Sequence, residues 1–101
     1  MIATARGPTA GEFRAALHRC FYQAGCRGAD QVEVIAGDLH ADAGGYSGDG
    51  HSMRNCCLSM RSEMRASSDA VVSEPDDGEG ESFTIRYKLP RWPLTVFLFS
   101  N

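Results

Sequence analysis

Apolar residues recur along the chain at two periods, and the switches between them mark the elements. After Phe13, the residues Ala16, Leu17, Cys20, Phe21 and Ala24 fall at helical spacings, forming one continuous stripe along a helix of 3.6 residues per turn. Arg14, His18 and Arg19 take more polar positions. Pro8 and Thr9 precede the stripe, and Glu12 stands three residues after Thr9. That pair predicts a capping box, in which each side chain takes up an N–H that the first helical turn leaves unbonded. Gly25 is expected to end the helix, because glycine reaches the left-handed conformation cheaply.

Residues 31–35 alternate and are rich in β-branched side chains, which predicts a short strand. Gly37 and Asp38 open a short helix through Leu39, His40 and Ala43, stopped by Gly44 and Gly45. Four glycines among residues 44–50 make that stretch a turn. Helical spacing then returns at Met53, Cys56, Cys57, Met60 and Met64, predicting a second long helix over residues 51–66. Two strands follow, over residues 69–73 and 82–88, separated by an acidic turn with proline and glycine over residues 74–81. On the second of them Phe83, Ile85 and Tyr87 face one way, and Thr84, Arg86 and Lys88 the other. Pro90 and Pro93 bracket Arg91 and Trp92 and break that strand. Residues 94–99 are a last extended apolar segment.

The order α-β-α-α-β-β, with an apolar C-terminal strand, predicts an α+β fold. Three helices would close the core on one face of a small antiparallel sheet, with the first strand joining the later hairpin. A short helix, a glycine-rich turn, a longer helix and a hairpin also make up the winged helix-turn-helix arrangement, whose longer helix reads the major groove. The alternative is a generic α+β domain with the same elements packed otherwise. Residues 1–91 would form the domain, and residues 92–101 an extension packing on it or on a partner chain.

The residues Gly37, Asp38, Leu39 and His40, then Gly44, Gly45, Tyr46 and Gly48, then His51, Met53, Cys56, Cys57, Met60, Glu63 and Met64 form a pattern across about residues 30–90. In it the chain resembles a set of small bacterial proteins with no established activity. The resemblance implies a winged-helix-like fold and nucleic-acid contact. The chain departs from that pattern at Ala41 and Ser52, where basic residues are usual, and at Ser47 and Asn55, where prolines are usual. Two basic side chains are thereby missing beside the turn, which counts against phosphate contact there.

Composition narrows the picture. A chain of 101 residues, 43% hydrophobic and 23% charged, fits one small globular domain, is too apolar for a disordered one, and leaves little room for a deep cofactor cleft. The net charge of −3 argues against a basic nucleic-acid packaging protein. Its distribution is uneven. Residues 51–66 hold Arg54, Arg61 and Arg65 against Glu63 alone, whereas residues 67–82 hold six acids and no base. The three arginines fall along one side of the predicted helix, shared with Leu58. With His51 and Asn55 they are the candidate nucleic-acid contacts, arginine serving phosphates or guanine and Asn55 adenine. The acidic hairpin tip opposes this, because a wing approaches phosphates.

Other chemistry finds less support. His40, His51, Cys56 and Cys57 offer zinc-ligand types, but adjacent cysteines on a helix point about 100° apart, so no metal site is expected. Cys56 and Cys57 lie on the apolar stripe, where thiols are buried and inert, and no nucleophile–base pair can be nominated. Residues 44–50 lack the lysine of a phosphate loop. No catalytic residue, cofactor or small-molecule substrate is predicted. Residues 1–10 have no signal-like apolar stretch, no segment reaches the ~20 apolar residues of a membrane span, and the cysteines read as reduced thiols, all of which suit a cytoplasmic protein. Trp92, Leu94, Val96, Phe97, Leu98 and Phe99 crowd the C-terminal end. A core this small leaves little room for them, which favours a homodimer. The resulting expectation is a non-enzymatic protein binding double-stranded DNA as a dimer. The alternative is a homo-oligomeric protein-interaction module without nucleic-acid binding.

Overall fold

The structure of the protein, a computed structural model, describes residues 8–44, 50–76 and 80–90. Helix α1 (Ala10–Cys26), strand β1 (Gln31–Ile35), helices α2 (Ala36–Asp42) and α3 (Gly50–Ser62), and strands β2 (Ala70–Ser73) and β3 (Thr84–Lys88) follow in that order. The sheet runs β1-β3-β2, antiparallel throughout. The α+β architecture, with three helices and a small antiparallel sheet, is the one the element order predicts. The apolar segment over residues 94–99 and the extension over residues 92–101 lie outside the described residues.

Helix α1 starts as its sequence dictates. The Glu12 N–H donates to Thr9 Oγ1 at 3.2 Å, and the Thr9 N–H donates to Glu12 Oε1 at 2.7 Å, closing the capping box. Its end differs from expectation. Gly25 lies inside the last turn, and the left-handed residue is Gly28, at φ +83°. The Gly28 N–H donates to the Gly25 carbonyl at 2.9 Å and the Ala29 N–H to the Ala24 carbonyl at 3.0 Å, the two bonds of a Schellman motif.

The start of α2 is capped from far along the chain. The Ala36 N–H donates to the Phe83 carbonyl at 2.8 Å and the Gly37 N–H to the Glu81 carbonyl at 2.9 Å. These contacts satisfy two first-turn donors that Ile35 has no side-chain oxygen to serve. Helix α3 is shorter than its apolar spacing predicts, ending at Ser62 rather than at residue 66. The Arg65 N–H donates to Asp69 Oδ2 at 2.7 Å, and the Asp69 N–H returns to the Arg65 carbonyl at 2.8 Å. This turn replaces a further helical bond. Arg65 therefore lies beyond the helix. Asp69 Oδ1 also accepts the Lys88 N–H at 2.8 Å, tying the turn to the end of β3.

The core gathers Phe13, Leu17 and Phe21 of α1, Leu39 of α2, Cys56, Cys57 and Met60 of α3, and Phe83, Ile85 and Tyr87 at β3. Helix α1 packs on α2, α3 and β1. The Tyr87 ring meets Phe21 edge-on at 4.8 Å, and its buried hydroxyl donates to the Met60 carbonyl near the end of α3 at 2.8 Å. The predicted inward face of β3 holds, with one correction on the other face: Thr84 is also buried. It sits on the central strand opposite both Ile35 and Ser73, and its hydroxyl donates to the Ser82 carbonyl at 2.9 Å. Among the described residues, no helix is long and apolar enough to cross a membrane.

Candidate nucleic-acid interface

Helix α3 divides into two faces. Ser52, Cys56, Cys57, Ser59 and Met60 are buried, Met53 is half-buried, and Arg54, Leu58 and Ser62 are exposed. The exposed positions recur at intervals of four, which keeps them on one side of the helix. Asn55 and Arg61 flank that strip and are partly exposed. His51 stands in the first turn of α3, and its side chain lies outside the described residues.

The five predicted contact residues are not equivalent. Arg54 and Asn55 share the outward side of α3. Arg61 is held in a specific geometry: Nη2 donates to Glu74 Oε2 at 2.6 Å, and the guanidinium lies 4.5 Å from the centre of the Phe83 ring. An arginine stacked on an aromatic face while its fork meets a carboxylate is a strut between α3 and the hairpin. Arg65 follows the helix in the turn closed by Asp69. Sequence reasoning missed Glu74 and Phe83 as partners. Their signal was the acid-rich turn itself, which places carboxylates within reach of a basic helix end.

Ser52 has a structural place inside the fold. It is 2% exposed, and its Oγ lies 2.6 Å from Nε2 of the buried His40. His40 stacks on Phe13 with ring centres 5.8 Å apart. The pair joins α2 to α3 inside the core, so residue 52 of this chain faces the interior. His40 of α2 thus bridges to Ser52 of α3. At the other end of α3, His18 Nε2 lies 3.1 Å from Glu63 Oε1 and links that end to α1.

The Cys56 and Cys20 thiols are the reverse of activated nucleophiles. Burial, helped by the neighbouring Cys57, pushes the Cys56 thiol up to about 12, and burial followed by the charge of Asp42 raises that of Cys20. The Cys56 thiol contacts the Ala36 carbonyl at 3.6 Å and that of Cys57 the Gly80 carbonyl at 3.7 Å. Among the described residues, no group of three or more His, Cys, Asp or Glu side chains is placed to hold a metal ion. An open groove of about 310 Å³ runs between α1, β1 and α2, with Val34 and Leu39 among its apolar lining and Arg27, Glu33 and Asp42 among its charges. Trp92, Leu94, Val96, Phe97 and Phe99, the predicted dimer or core contacts, lie outside the described residues. No protein-family model, curated protein or solved structure matches the chain.

Proposed function

We propose that this chain is a winged-helix-like protein that binds duplex DNA through the outward face of α3, acts as a homodimer in the cytoplasm, and carries no chemistry of its own. One observation carries the reading. A helix with one face sunk in the core turns Arg54, Asn55 and Leu58 outward, beside a sheet of order β1-β3-β2 whose hairpin adjoins the helix end. That placement suits a groove-reading helix flanked by a hairpin. Dimerisation would set the spacing of the two half-sites.

A second reading is favoured by the Arg61–Glu74 pair. The hairpin is acidic, and one of its carboxylates already occupies an arginine of α3. In that reading the same face docks a protein partner and binds no nucleic acid.

A mobility-shift titration with random-sequence duplex at low and moderate salt separates the two. Non-specific duplex binding has a Kd of roughly 10⁻⁴–10⁻⁶ M at physiological salt and tightens as salt falls. A shift is therefore expected at tens of micromolar protein in low salt, and its absence there selects the protein-interaction reading. Replacing Arg54, Arg61 and Arg65 by alanine is expected to abolish the shift, with circular dichroism confirming the fold. An unchanged shift moves the binding surface off α3.

A further inference from the structure

The outward face of α3 carries one side chain that neither core nor charge accounts for. Leu58 is 45% exposed, although its chain neighbours Cys57 and Ser59 are buried. It follows Arg54 by four residues and precedes Arg61 by three, so it lies between the two along one side of the helix. Asn55 and Ser62 stand one turn before and after it. A single exposed leucine is ordinary on a protein surface. This one lies between Arg54 and Arg61, and among the described residues it is the one large apolar side chain that α3 exposes. A stable protein interface covers about 800 Å² on each partner, and the exposed Arg54 one turn from Leu58 suits a polyanion better than an apolar segment. Within the major groove of DNA, the bases display one apolar group: the 5-methyl of thymine.

We propose that Leu58 reads thymine by packing on its 5-methyl group. The inference rests on the DNA-binding reading of α3 and adds to it the base favoured and the kind of nucleic acid. Uracil lacks the methyl, and the major groove of A-form RNA is too deep and narrow for side chains to read. Asn55, one turn before Leu58, is of the type that pairs with adenine, so the two residues together suit an A·T-containing site.

The test isolates the methyl. Duplexes retained by the full chain from a random pool are amplified with thymidine triphosphate or with deoxyuridine triphosphate. The wild type should bind the uracil pool about four-fold more weakly for each methyl buried. Leu58→Ala, with its helix content checked by circular dichroism, should bind both pools alike. Equal binding of the two pools by the wild type, or a preference for thymine that survives in Leu58→Ala, overturns the methyl contact and leaves DNA binding standing. A chain that retains no duplex from either pool overturns both readings together.

Discussion

Asp69 shows how much one side chain can organise. Its two carboxylate oxygens serve the Arg65 and Lys88 N–H groups, and the residue is buried. Removing it strands two backbone donors, each costing about 1–3 kcal/mol when left unsatisfied in a buried setting. Asp69→Ala should therefore lower stability by about 2–3 kcal/mol, and Asp69→Asn, which keeps one acceptor oxygen, by about half as much. Urea unfolding checks both, with a shifted midpoint at unchanged slope. A loss below a few tenths of a kcal/mol for Asp69→Ala would show that water replaces the carboxylate. The same residue explains why sequence spacing overextends α3. Met64 continues the apolar stripe and is half-buried, but the Asp69 carboxylate takes the Arg65 N–H that a longer helix would have used.

The elements divide by where their stop and start signals reside. Helix α1 was legible at its start because the capping box and the stripe are local. Its left-handed stop glycine was misplaced by three residues, because two glycines compete and periodicity does not rank them. Their backbones decide: Gly28 is left-handed, while Gly25 is in the helix with nothing within 4 Å of an added Cβ. Gly28→Ala should destabilise by about 1 kcal/mol. Gly25→Ala should stabilise by roughly 0.5–1 kcal/mol through helix propensity. Opposite shifts of the thermal midpoint are expected, and equal ones would remove the Schellman assignment. The start of α2 was legible to within one residue, but its caps were hidden, since they come from Glu81 and Phe83, more than forty positions away. The candidate interface divides in the same way. The outward side of α3 was readable from spacing, whereas the Arg61–Glu74–Phe83 contact depends on where the hairpin folds back.

At the scale of the whole molecule, charge and size set the remaining questions. The net charge of −3 conceals a basic helix beside an acidic hairpin, and the two are joined by an ion pair rather than held apart. The apolar residues beyond Arg91 bear on assembly. Under the dimer proposal, the full chain should sediment as a dimer at micromolar concentration, and a chain ending at Arg91 as a monomer; monomeric behaviour of both would refute the tail's part in association. One contact described above also governs the order in which parts of the molecule open. The amides of Ala36 and Gly37 belong to α2 in name, but they donate to carbonyls at the entry to β3. Fraying of the hairpin would release them while the rest of α2 keeps its own bonds. In solvent-exchange experiments these two protons are thus internal gauges of hairpin closure, located on a different element from the one whose opening they record.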